Sequence, residues 1–176
     1  MTSIDWSAFA GCIGLTSIAI PDSVTSIGGF AFSGCSSLTS VTIPGSVTNI
    51  GDSAFSGCSS LINVTISDSV TSLGEEVFYG CSSLTSIVIP NNVTSIGEYA
   101  FGECGSLTSV MIPDSMTSIG EGAFWYCGKL TGVTFGGTTA QWKAITFGSD
   151  WNYFTDKYTV TCTDGTVAKD GTVTLI

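Results

Sequence analysis

The chain has 176 residues and a net charge of −10, from 14 acidic side chains against 4 lysines, with no arginine and no histidine. Without a cationic footprint it is unsuited to nucleic acid or to anionic membrane surfaces, and without histidine it lacks the commonest general base and transition-metal ligand. Apolar residues make up 43% and charged residues only 10%, against roughly 25% in an ordinary soluble domain, so the length and composition predict one domain with a sizeable core.

The chain begins in mid-pattern. Six of the seven cysteines, Cys12, Cys35, Cys58, Cys81, Cys104 and Cys127, stand 23 residues apart, a spacing that signals a repeat rather than a disulfide framework. Aligned on Cys12, residues 1–14 form a partial unit in which Met1 takes the place of Val47 and Asp5 the place of a glycine. No polar cap covers this end, although solenoids need one. Either the chain is cut from a longer array, or the bare end docks onto a partner such as a second copy of itself. The start shows neither the basic region nor the apolar stretch of a signal peptide, which predicts an intracellular protein or a mature fragment. Apolar runs such as Val110-Met111-Ile112 fall far short of the about 20 residues a membrane span needs.

Five full units follow over residues 15–129, and one of them reads LTSVTIPGSVTNIGDSAFSGCSS from Leu38 to Ser60. A period in this range with an L-x-x-L-x-L core is a leucine-rich-repeat signal. In each unit the alternation of Val41 and Ile43 with Ser40 and Thr42 predicts a short strand with one face inward. Proline at 21, 44, 90 and 113 ends that strand. Val47 and Ile50 predict a second, shorter extended piece. After Gly51, the stretch D-S-A-F-S-G-C is read as one helical or 3₁₀ turn with Ala54, Phe55 and Cys58 inward. Stacked units place each strand about 4.8 Å from its copy, and the array is stable only as a stack.

Beyond the units, Leu130 to Phe135 begins a sixth strand, and Thr138 is placed to N-cap a short helix containing Trp142, Ala144 and Ile145. The run from Tyr158 with turns at Asp164-Gly165 and Asp170-Gly171 reads as a β-meander. These features divide the chain into repeats over 1–135 and a cap over 136–176.

Candidate chemistry is sparse. The cysteine ladder reads as structural free thiols, with Cys162 left undecided between a buried cap residue and a reactive thiol. Asp52, Glu75, Glu98 and Glu121 share one repeat position and are read as offsetting the N–H dipoles of the predicted helical turn, with a calcium or cationic-partner site as the alternative. Asp22, Asp68 and Asp114 are turn residues. Asp150-Trp-Asn152-Tyr-Phe begins like a calcium loop but loses its third ligand at Phe154. With no histidine beside its many serines and no S-x-x-K, the chain is read as having no catalytic residues, no metal site and no cofactor. Two surfaces remain. The outward strand positions Ser40, Thr42, Asn63, Thr65, Ser86, Val88, Ser109 and Met111 form an extended ladder, in which Val88 and Met111 break the polarity. Trp142, Trp151 and Tyr153 form an aromatic cluster, read first as a cap over the last repeat and, as the alternative, as a platform for carbohydrate.

The residues Leu84, Ile87, Ile89, Pro90, Val93, Ile96, Gly97, Ala100, Phe101 and Cys104, with their equivalents in the other units, resemble the BspA-type leucine-rich repeats of bacterial and protozoan surface proteins. The likeness covers residues 1–135, and AQWKAITFG (140–148) is similar to a segment that closes such arrays in anaerobic bacteria. The resemblance implies a secreted or surface-displayed, non-enzymatic module that binds protein, host matrix such as fibronectin included. The expected fold is a curved, right-handed leucine-rich-repeat solenoid with parallel strands and a β-rich cap. The expected function is adhesion through the exposed repeat face, with carbohydrate binding at the aromatic cluster or a structural spacer as alternatives.

Overall fold

The computed structural model describes residues 2–155 and 157–176, so Met1, aligned above with Val47, lies outside the described residues. Strands follow the repeat in chain order: β1 (Ser3–Ile4), β2 (Ser26–Ile27), β3 (Ser40–Ile43), β4 (Asn49–Ile50), β5 (Asn63–Ile66), β6 (Ser72–Leu73), β7 (Ser86–Val88), β8 (Ser95–Ile96), β9 (Ser109–Ile112), β10 (Ser118–Ile119) and β11 (Gly132–Phe135). From β3 onward the odd strands are the longer ones of the L-x-x-V-x-I segment, and they stack in parallel with equivalent residues in register, Ser40 against Asn63 and Ser109 against Gly132. The even strands are the predicted shorter pieces and stack likewise. The molecule is therefore a β-solenoid of about seven turns. In the first full unit the long strand is reduced to a single bridge, Ser17 to Ser40, and among the described residues its other edge is unpaired.

The third side of each turn is not helical. Residues 52–57 are a run of turns in which Ser53 and Gly57 take φ of 55° and 71°. The N–H groups of Ser53, Phe55 and Gly57 reach forward to the carbonyls of Glu75, Val77 and Tyr79 at 2.8, 2.9 and 2.7 Å. Those of Ala54, Ser56 and Cys58 turn back to Gly51, Ser53 and Phe55 within their own unit. The helical turn expected from the sequence is thus replaced by a third inter-unit ladder. The reason is satisfaction of backbone groups: a one-turn helix would leave its first donors and last acceptors unpaired in every unit, whereas alternation of backbone hand uses both sets.

Inside, Ala54, Phe55 and Cys58 and their copies in the five full units are fully buried. The phenylalanines stack in one column from Phe9 through Phe32, Phe55, Phe78 and Phe101 to Phe124, with ring centroids 5.1–5.6 Å apart. Each proline carbonyl accepts from the N–H three residues on, as Val47 to Pro44 at 3.0 Å, closing the turn that follows the long strand.

At the far end all three ladders continue past the last regular unit. β11 pairs β13 (Thr159–Cys162), and β10 pairs β12 (Thr146–Phe147). The carbonyls of Ser149, Trp151 and Tyr153 accept from Gly122, Phe124 and Tyr126. Helix α1 (Thr139–Ala144) is inserted between β11 and β12, capped by Thr138 in a reciprocal box with Gln141. Antiparallel β14 (Gly165–Ala168) and β15 (Val173–Leu175) then complete the meander on β13. Trp151 ends the phenylalanine column edge-on, 6.2 Å from Phe124.

The stack has one seam. Two strand ladders are interrupted, between β4 and β6 and between β5 and β7, while the turn ladder runs through. Both interruptions flank the unit beginning at Leu61. That unit has Ser67 where four others have proline and Val77 where its neighbours have Ala54 and Ala100.

Candidate functional site

The eight strand-face residues named above are all exposed and form a contiguous surface over β3, β5, β7 and β9. Strand alternation puts them there: their neighbours Val41, Ile43, Ile87, Ile89, Val110 and Ile112 face the core and are at most 3% exposed. Val64 and Ile66 are the exception, only half-buried, because the seam opens beside them. A shallow cleft of about 230 Å³ results, lined by Val64, Thr65, Ile66, Asp68, Val88 and Pro90 among others. Val88 is 59% exposed at its rim, and Met111 is 49% exposed one strand further on. Among the described residues β5 pairs only with β3 and β7 only with β9, so facing strand edges border the cleft with no ladder joining them.

Of the aromatic candidates, Trp142 and Trp151 come together at 6.1 Å. Trp142 is buried against Phe135, Phe147 and Trp151, closing the core. Tyr153 stands apart from them, exposed and edge-on to Phe154. A pocket of about 250 Å³ between α1 and the meander touches both tryptophans, Tyr158 and Lys169. Lys169 is already engaged there, its Nζ donating to the Thr155 carbonyl and Oγ1 at 2.9 and 3.0 Å.

The thiols are free, and all but Cys12 are buried. From Cys35 to Cys127 each repeat thiol donates to a phenylalanine carbonyl of the preceding unit, as Cys58 Sγ to Phe32 at 3.2 Å and Cys127 Sγ to Phe101 at 3.1 Å. Burial pushes the Cys58 and Cys127 thiols up to about 12, so these groups remain protonated and inert. Cys162 is buried as well, its thiol also raised, first by burial and then by Asp164.

The acid row at Asp52, Glu75, Glu98 and Glu121 is exposed, but no helix lies behind it for these charges to offset. Asp52 Oδ1 instead accepts the Glu75 N–H of the next unit at 3.0 Å. Asp68 does the same for Asn91, also at 3.0 Å. Among the described residues no three Cys, Asp or Glu side chains converge to hold a metal ion.

The sequence reading missed a further exposed group. Tyr126 and Phe154 are 44% and 54% exposed on the turn side and pack ring to ring at 4.5 Å. The signal was available in the repeat itself, where the position held by Gly11, Gly34, Gly57 and Gly80 passes to Glu103 and then Tyr126.

Residues 2–131 match, in six copies, the family described as the BspA type leucine rich repeat region. No curated protein matches the chain. Among solved structures, a leucine rich cell surface protein from Faecalibacterium prausnitzii A2-165 is 41% identical over 74% of this chain, with a TM-score of 0.73. A leucine rich repeat protein from T. pallidum is 31% identical over 84% of this chain and 67% of its own, with a TM-score of 0.76. One from Bacteroides ovatus ATCC 8483 is 30% identical over 88% of this chain and 44% of its own, with a TM-score of 0.64. The chain spans 35% of the F. prausnitzii protein.

Proposed function

The chain belongs to the BspA-type leucine-rich-repeat family, whose fold is generally a protein-interaction scaffold, and from that premise we propose that it is a non-enzymatic, cell-surface adhesion module. It engages a protein of the host matrix or of another cell through the exposed strand face. The observation that carries this reading is the seam: the smooth polar ladder is broken at β5 and β7 by a cleft with half-buried Val64 and Ile66 in its wall and exposed Val88 at its rim. Elsewhere on the face small hydroxylated residues lose little side-chain entropy on contact. At the cleft, apolar side chains supply area to desolvate, and the unjoined strand edges offer backbone bonds to an extended segment of a partner. The surface location is supported by the name of the F. prausnitzii relative. No described helix is long and apolar enough to cross a membrane.

The test is saturable binding to immobilised fibronectin and fibrinogen at low and physiological salt, with Thr65→Glu, Val88→Glu and Met111→Glu combined in one variant. The reading expects binding by the native chain and at least a tenfold loss in the variant, since charges buried at a contact without partners are costly. Equal binding by both would move the site off this face. Loss on Trp151→Ala instead, in a protein that still folds, would favour the cap pocket and a carbohydrate.

A further inference from the structure

Two sets of side chains vary from unit to unit while the scaffold between them repeats: the strand face and the ridge formed by the turns. On the strand face the substitutions are among small or apolar residues. On the ridge they change character along the stack. The turns holding Gly29, Phe30, Ser33 and Gly34, and then Asp52, Ser53, Ser56 and Gly57, carry one charge between them. The next turns carry Glu75, Glu76 and Tyr79, and then Glu98, Tyr99 and Glu103. After these come Glu121, Trp125 and Tyr126, and in the last turn Asp150, Tyr153 and Phe154. The forward ladder bonds, from Tyr99 to Glu121, Glu103 to Trp125 and Tyr126 to Tyr153, hold these residues side by side.

The rings join into one strip, half-buried at Tyr99 and Trp125 and exposed at Tyr126, Tyr153 and Phe154. Tyr99 meets Trp125 edge-on at 6.1 Å, Trp125 meets Tyr126 at 4.2 Å, Tyr126 meets Phe154 at 4.5 Å, and Phe154 meets Tyr153 at 4.3 Å. Tyr126, Tyr153 and Phe154 are between 44% and 54% exposed. The core does not need them there. Tyr126 and Phe154 stand at φ of 56° and 55°, a left-handed conformation that the earlier units fill with glycine and that costs a bulky side chain free energy. Carboxylates border the strip: Glu121 accepts from the Tyr99 hydroxyl at 3.2 Å and from Ser149 Oγ at 2.7 Å. Burial first, and then the Glu103 carboxylate, raise the Tyr79 phenol to about 12.

Charge selects the occupant. No lysine precedes Lys129, so residues 1–128 carry the whole net charge of −10, the four lysines and four aspartates from Lys129 onward balancing. Before Lys129 the array has no side-chain cation, and its carboxylates do not converge on a metal ion among the described residues. An ammonium or guanidinium group on an aromatic face with a carboxylate beside it satisfies both features of the strip. We propose that the turn ridge from Glu75 to Phe154 is a second docking surface, distinct from the strand face, for a lysine- and arginine-rich protein segment.

Calorimetry of the full chain with a ten-residue oligolysine peptide, and with the same peptide lysine-acetylated, tests this. Saturable binding that acetylation abolishes is expected. Tyr126→Gly with Phe154→Gly places glycine where the backbone favours it, so the melting temperature is held or raised while affinity falls about tenfold. Glu98→Gln with Glu121→Gln should cost a similar factor. Asp22→Asn with Asp114→Asn removes as much charge away from the ridge and should change affinity less than twofold. Absence of saturable binding overturns the proposal. So does an affinity that follows net charge alone and ignores the aromatic pair. Self-association of the native chain that the Tyr126→Gly and Phe154→Gly variant abolishes would make the strip a contact between copies, and would also overturn it.

Discussion

A cysteine at a repeat position does two things at once in this protein. It fills a small apolar site at 0% exposure in the five buried copies, and its thiol satisfies a phenylalanine carbonyl that also accepts the cysteine N–H of its own unit, as Phe55 does from Cys58 and Cys81. The arrangement requires the protonated thiol, and burial holds Cys81 and Cys104 well above the usual thiol range, as it does Cys58 and Cys127. A raised folded-state value means that the unfolded chain releases its protons first. Stability is therefore fully present below pH 9 and falls as the pH rises from there towards about 12, by about 1.4 kcal/mol per pH unit for each thiol. Melting temperatures between pH 7 and 10.5 should stay level to pH 9 and then drop, and Cys58→Ala should show a shallower drop than the native chain. A level profile to pH 10.5 would contradict the protonated ladder.

Away from the seam three ladders join successive units, and they are not equally legible in the sequence. Alternation at Val41 and Ile43 announces the long strand, because a period of two has one structural meaning. The stretch from Asp52 to Cys58 has no such period, and its length fits one helical turn as readily as a run of bends. The choice falls to the neighbouring unit, whose carbonyls at Glu75, Val77 and Tyr79 are in reach of forward-pointing N–H groups. The seam is likewise a property of neighbours. Among the described residues, Thr71, Gly74 and Thr85 lack the backbone bonds to the preceding unit that Thr48, Gly51 and Thr108 make at 3.0, 2.8 and 2.9 Å. Hydrogen exchange should find the first three amides at least tenfold less protected than the last three. Equal protection would show a strand stack closed in solution and would remove the cleft on which the adhesion reading rests.

As a whole molecule the array is a one-dimensional stack with like charges repeated along it at intervals near the strand spacing, about 4.8 Å, and no cation before Lys129. Repulsion at that range is screened by salt, whose Debye length falls from about 30 Å at 0.01 M to about 10 Å at 0.1 M. The melting temperature should therefore rise between 10 mM and 300 mM sodium chloride, and a fall would mean that the ridge carboxylates are held by attractive contacts within the chain. The two ends differ in kind. Trp151 and the meander close the last unit, whereas at the first unit Trp6 and Ile13 are each 68% exposed. The amino-acid sequence by itself determined the unit, its stacking into a parallel solenoid, the inward positions and the outward strand face, since a strict 23-residue recurrence makes every unit the environment of the next. It also determined the capped helix at Thr138, whose signal is local. Only the tertiary structure decided the backbone of the turn side, the position of the seam and the joining of Tyr126 to Phe154, because each depends on which groups of two successive units come within bonding distance, and no single unit encodes that.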